Sequence, residues 1–397
     1  IQGKNGRPRF AGFNWNSRTV ALDLTHPEAQ VWLRQTIQRA VKEWGFSYLK
    51  LDFLYAGGLS GKRLDPTRTN AQALNFGLKV IREEAGEDVF LLGCGCPLGP
   101  GVGVFDAMRI SADTAPTWGN HYFGMSLPFL VEPHAPSAEN ALHNVLTRAN
   151  FHQRWWWNDP DCILLRPESQ LNLAEIQTVA SVIALTGGML LVSDDLERLP
   201  EERQTILSQM LPPIQSAGRV LDALTESKPK SILWEGADAA GSYALVAMIN
   251  WENTPKPLTF DPRAFMRSGR QFLSSFWDGQ VVDLAADQCT ILKNIPAHGT
   301  VLLAVRNAID EVPIQYLGGN LHISQGLELR DLLFDEAGFE LQLDLPRTWR
   351  GEVRLWVKRC PREMRTEKAV LESWQVINHI LRMTVSGEGR AKISGGW

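Results

Sequence analysis

Phe46-Ser47-Tyr48-Leu49-Lys50-Leu51-Asp52-Phe53-Leu54-Tyr55-Ala56-Gly57-Gly58 reads as a buried strand that runs out into a glycine turn. Asp52 stands at its mouth. Lys50 lies on the same side of the strand, because strand side chains repeat every second residue. A cation one strand step away would hold the Asp52 carboxylate ionised, the state a nucleophile needs. Taken alone, the stretch favours a plainer reading, an Asp that caps the turn behind it.

A second segment turns that balance. Arg109-Ile110-Ser111-Ala112-Asp113-Thr114-Ala115-Pro116-Thr117-Trp118 follows the apolar run Val104-Phe105-Asp106-Ala107-Met108. Again a short strand delivers an Asp to a loop. Asp52 and Asp113 stand two strand–helix units apart, at about 30 residues per unit. In a barrel of alternating strands and helices, chemistry collects at the carboxyl ends of the strands. Two aspartates placed there suit glycoside hydrolysis, one as nucleophile and one as acid/base.

Strand and helix patterns alternate from about residue 20 to residue 212. Helices are expected over 26–41, with Thr25 as N-cap and Pro27 in the first turn, and over 69–84, 137–152, 173–185 and 200–210. Strands are expected at 46–52, 88–93, 104–112, 155–158 and 189–192. Such alternation means a parallel sheet with right-handed crossovers. A closed barrel needs eight strands, so three would lie before residue 1. After about residue 217 the pattern changes to short apolar strands separated by turns rich in Pro, Gly and Asp, as in Trp277-Asp278-Gly279. That predicts an appended antiparallel β domain over 217–397, after a barrel region over 1–216.

Composition bounds the function. The chain has 397 residues, 44% of them apolar, and a formal net charge of −4. This argues against nucleic acid or an anionic membrane as the main partner. No apolar run approaches the roughly 20 residues that span a bilayer. Five cysteines, an odd and sparse set, point away from a disulfide framework and toward a reducing compartment, so a cytoplasmic location is expected. The opening stretch from Ile1 has no signal-peptide layout and reads as a mid-protein loop, so a start further upstream is also expected.

Other motifs carry less. Cys94-Gly95-Cys96 lacks a second ligand pair nearby, and His121, His134, His143 and His152 show no metal-ligand spacing, so no metal is expected. Gly99-Pro100-Gly101-Val102-Gly103 precedes a strand, whereas a dinucleotide fingerprint follows one and opens a helix. The glycines of Leu92-Gly93-Cys94-Gly95-Cys96-Pro97 form either a tight turn or a place where a ligand approaches the backbone. Arg109 either binds a substrate hydroxyl or holds a carboxylate. Asp159 and Asp161, in Asn158-Asp159-Pro160-Asp161, are expected to shape a loop or support the site from behind rather than react.

Taken together, Tyr48-Leu49-Lys50-Leu51-Asp52-Phe53, Gly93-Cys94-Gly95-Cys96-Pro97-Leu98, Met108-Arg109-Ile110-Ser111-Ala112-Asp113-Thr114-Ala115-Pro116 and Trp157-Asn158-Asp159-Pro160-Asp161-Cys162 resemble the α-galactosidases of glycoside hydrolase family 36, in the clan shared with family 27. The likeness runs from about residue 5 to residue 215 and is nearest the compact bacterial, thermophile-type members. It implies an α/β fold, a (β/α)8 TIM barrel represented here by strands four to eight and followed by an antiparallel β-sandwich domain. It implies a retaining α-galactosidase, with Asp52 the nucleophile and Asp113 the acid/base, and with Lys50, Cys94, Arg109 and Trp118 lining the sugar site. An ionised Asp52 would help keep Asp113 protonated for its acid role. No metal or organic cofactor is implied, and the partner is an oligosaccharide or galactoside substrate. The missing strands would come from an upstream segment or another chain; without them the Asp52 strand is an exposed edge and the barrel is expected to be unstable and inactive. Alternatives are another activity of the clan (α-N-acetylgalactosaminidase or galactosyl transfer) and a non-catalytic sugar-binding fragment with an incomplete barrel.

Overall fold

The apolar alternation around Lys50 does form a strand, Tyr48–Leu51, and it lies at the edge of a parallel sheet. The computed structural model describes the whole chain except residues 15, 123–124, 127–133, 266–267 and 287. The chain divides into two compact units, one of residues 1–111 with 151–160, the other of 112–150 with 161–397.

In the first unit the parallel sheet runs in the order Tyr48–Leu51, Phe90–Gly93, Ala107–Arg109, Trp157–Asp159. The expected strands are present but shorter, and the last is shifted to take in Asp159, with Pro160 ending it. Pairing places Tyr48 beside Phe90, Lys50 beside Leu92, Ala107 beside Trp157 and Arg109 beside Asp159. These eight residues share one face. Leu91, Gly93, Met108 and Asn158 point the other way and are buried. Lys50 Nζ lies 3.6 Å from Asp159 Oδ2, although their strands are first and fourth in the sheet. Three strand spacings come to about 14 Å on a flat sheet, and side chains stand roughly perpendicular to it. The contact therefore requires the sheet to curl toward this face.

Two helices accompany the sheet. Pro27–Gln38 has Pro27 at its start, but its N-cap is His26, whose ring accepts the Glu28 N–H at 3.3 Å. Thr25, the expected cap, is instead turned to Asp23, to which its hydroxyl donates at 2.7 Å. Asn70–Ala85 carries the full capping box, Thr69 with Gln72, and buries Leu74, Leu78, Val80 and Ile81 along one stripe. The two helices pack on each other and are laced by Arg34, which meets Glu83 at 2.8 Å and Glu84 at 3.6 Å.

In the second unit the helix Leu173–Thr186 is apolar nearly all round and buried along most of its length, as a core helix must be. It packs on the strands Ser231–Asp238, Gly241–Ile249 and Thr300–Asn307. It connects the two strands of a short parallel pair, Cys162–Ile163 and Leu191–Val192. From Arg219 onward the named elements are strands, apart from one turn of 3-10 helix, and they pair antiparallel. A six-stranded sheet and the pair Lys256–Phe260/Thr290–Ile295 enclose one apolar core, including Val246, Phe260, Leu273 and Leu303. A five-stranded sheet built on the long strands Gly338–Val357, Glu363–Ile377 and Ile380–Gly396 encloses another.

Candidate active site

Asp52 follows directly on the Tyr48–Leu51 strand. The next residue, Phe53, has φ +57°, a left-handed backbone that a bulky residue adopts only under constraint. Its N–H donates back to Asp52 Oδ1 at 2.6 Å. Across the sheet, Cys94 N–H donates to Leu51 O at 2.8 Å, and Tyr55 N–H donates to Gly95 O at 2.7 Å. Gly95 has φ +51°, and a Cβ there would stand 3.1 Å from both Asp52 Oδ1 and Phe53 N. Only glycine fits that backbone and that space. The turn beyond is held by Arg63, which donates to Gly57 O at 3.1 Å, Leu59 O at 2.6 Å and Asn70 Oδ1 at 2.7 Å.

The Cys94 side chain is buried and hydrogen-bonded to Asp52, and burial pushes its thiol up to about 12, with the Asp52 charge adding to the shift and Arg109 and Lys50 opposing it. It is therefore a neutral donor facing the carboxylate, not a nucleophile. Cys96 is likewise pushed up to about 12 by burial. Asp159, whose side chain is 0% exposed, meets Lys50 at 3.6 Å and Arg109 Nε at 3.2 Å through the same Oδ2. Burial also raises the Tyr48 hydroxyl above its ordinary value, with Asp159 adding to the shift and Arg109 opposing it. The first unit thus brings Lys50, Asp52, Cys94, Arg109 and Asp159 onto the curled face. Tyr48 and Gly95 belong with them; Gly95 is one of the glycines read in the sequence as a tight turn or a close ligand approach, whereas Tyr48 was not singled out there as a site residue. Tyr48 was legible there, two residues before Lys50 and so on its face.

The second unit carries Asp113, Trp118 and Asp161. Asp161 sits at φ +74°; its carboxylate accepts Cys162 N–H at 2.8 Å and Thr114 N–H at 2.9 Å, tying it to the residue after Asp113. The 113–118 loop rests on the start of the Ala138–Arg148 helix: Asp113 O accepts from Ser137 N–H at 3.2 Å and Trp118 O from Glu139 N–H at 2.9 Å. Trp118 is 8% exposed and stacks on His298 with ring centres 4.5 Å apart. Packing occupies that ring face. Among the described residues, no group of three or more His, Cys, Asp and Glu could hold a metal ion, and the side chain of His121 lies outside them. No helix among the described residues is long and apolar enough to cross a membrane.

No protein-family model matches the chain. Solved structures do. An α-galactosidase from Thermus thermophilus, in complex with stachyose, is 31% identical over 54% of this chain and 44% of its own, with a TM-score of 0.45. The chain thus spans less than half the length of that enzyme. α-Galactosidase I from Mortierella vinacea is 15% identical over 75% of both chains, with a TM-score of 0.55. A family-27 β-L-arabinopyranosidase from Geobacillus stearothermophilus is 15% identical over 74% of this chain and 66% of its own, with a TM-score of 0.53. The last two share the fold. These neighbours are TIM-barrel glycosidases with a C-terminal β domain.

Proposed function

We propose that this chain carries the catalytic carboxylates of a retaining α-galactosidase of the family 27 and 36 clan, family 36 in particular. Asp52 attacks the anomeric carbon and Asp113 protonates the departing oxygen. Asp113 then takes a proton from water, which releases the sugar from Asp52. Lys50 and Arg109 donate to the sugar hydroxyls, and the Cys94 thiol donates to the attacking carboxylate. The observation that carries the proposal is the junction at Asp52, an acid held at a strand end by the neutral Cys94 thiol and by the shape of Gly95. The α-galactosidases among the structural neighbours support the substrate class. The arabinopyranosidase keeps a second sugar open on the same fold, since fold alone does not fix function.

Asp52→Ala tests the nucleophile. Hydrolysis of a nitrophenyl α-galactoside should fall by several orders of magnitude, and azide should restore turnover as β-galactosyl azide. Retained turnover in the variant would remove Asp52 from the role. The exposed Tyr48–Leu51 edge favours a second reading, a sugar-binding piece of an open barrel. A folded chain that binds galactose but never cleaves a galactoside would select it.

A further inference from the structure

Asp159 is the most deeply buried charge on the curled face, with a side-chain exposure of 0%, against 8% for Arg109 and 37% for Lys50. Its one oxygen Oδ2 reaches cations from two strands, Arg109 on the adjacent strand and Lys50 on the far edge of the sheet. The Arg109 contact is at Nε, on the stem side of the guanidinium, and is an ion-pair approach of 3.2 Å. The backbone is pinned as well: Asp159 O accepts the Ile110 N–H at 3.0 Å. Lys50 and Arg109 both act on the Cys94 thiol, and so does Asp52. The two cations and the Asp52 carboxylate therefore share one neighbourhood, and Asp159 supports it from beneath.

We propose that Asp159 is a positioning residue that holds Lys50 and Arg109 as two fixed donors on this face without touching substrate itself. The assignment of those donors to sugar hydroxyls rests on the galactosidase reading above. Two long cationic side chains would otherwise repel each other and sweep through many rotamers. One buried carboxylate between them removes both costs, leaves one net positive charge facing Asp52, and braces the curl of the sheet.

Competitive acylation of the full 397-residue chain, with labelled lysines mapped by mass spectrometry, tests the proposal without any substrate. In Asp159→Asn, Lys50 should label about fivefold faster, the scale of a lost ion pair of about 1 kcal/mol, with the other lysines unchanged. Asp159→Glu should restore most of the protection. An unchanged Lys50 rate in folded Asp159→Asn would overturn the proposal. Should that variant fail to fold, the wild-type chain still decides. Lys50 should then label more slowly than Lys230, whose side chain is 48% exposed and pairs on the surface with Glu226. Equal rates would overturn the positioning role. A kinetic arm separates the two levels: where galactoside is turned over, Asp159→Asn should raise KM more than it lowers kcat. Lys50 protection that depends on Asp159, in a chain that neither binds nor cleaves a galactoside, would uphold the positioning role and remove the galactosidase reading instead.

Discussion

Asp52 is held less by its own strand than by the loop that crosses behind it. The Phe53 N–H, the Cys94 thiol and the backbone at Gly95 close around its carboxylate. Gly95→Ala therefore meets two penalties, a Cβ at φ +51° and contacts of 3.1 Å with Asp52 Oδ1 and Phe53 N. Relief requires the Asp52 carboxylate or the Phe53 backbone to move. The substitution should cost about 1–3 kcal/mol of stability, read by urea unfolding. It should also reduce any turnover far more than a surface Gly→Ala. At this scale the sequence placed Lys50, Asp52, Cys94 and Arg109 at neighbouring strand ends, where the structure also has them. It was silent on which partner each one takes. Lys50 looked like a neighbour for Asp52, yet the ion pair it makes is with Asp159, more than a hundred residues on.

At the scale of elements, the helices announce themselves through their ends. Thr69 with Gln72 and Asn172 with Glu175 both form complete capping boxes. The second box has an added duty. The Glu175 side chain that closes it also meets His298 Nδ1 at 2.7 Å, and His298 in turn stacks on Trp118. Asn172→Ala should lower stability by about 1 kcal/mol in chemical denaturation. It should leave the His298–Trp118 stack in place, readable as unchanged tryptophan fluorescence. Strand limits were misread as the first helix cap was, where His26 stands in place of Thr25. The 155–158 expectation missed Asp159, because Pro160 ends this strand one residue later than the Asx-Pro pattern suggested. The tail alternates apolar and polar residues, so its strands were visible, but the 20-residue span of Gly338–Val357 was not. Its length depends on partners far along the chain.

For the molecule as a whole, pH dependence has two opposing sources in the β region. Glu328 is fully buried; it accepts from the Tyr316 hydroxyl at 2.7 Å, and burial pushes it up to about 7, opposed by Arg306 and reinforced by Asp238. A carboxyl raised on folding holds its proton more tightly in the folded state. Its stabilisation is complete below the ordinary carboxyl range and is lost as pH rises through about 7. His322 is also buried. Its Nε2 pairs with Pro212 O at 2.8 Å, its Nδ1 accepts the Ser324 N–H at 3.1 Å, and burial lowers it to about 4. That stabilisation is complete above about 6.5 and is lost as pH falls through about 4. Between roughly 4.5 and 6.5 the two slopes cancel. Stability measured by thermal unfolding should therefore be flat there, and fall on both sides. Glu328→Gln should turn the flat stretch into a rise with pH of about 1.4 kcal/mol per unit, roughly 3 kcal/mol from 4.5 to 6.5, and remove the shallow fall above it. An unchanged alkaline limb in that variant would assign the loss to another group.

The sequence by itself determined the order of elements, the parallel and then antiparallel grammar, and the identity of the acids at the strand ends. These are local matters: hydrophobic period, capping residues and glycine turns are written within a few residues of one another. Only the tertiary structure decided that the parallel sheet curls, and that Asp159 lies beneath two cations drawn from strands far apart in sequence. It also decided that the face of Trp118 is taken by His298 and that a carboxyl in the tail is buried among Tyr316, Arg306 and Asp238. Each of these is a pairing across large sequence separation. Side-chain reach, sheet curvature and burial act only once distant segments share one surface.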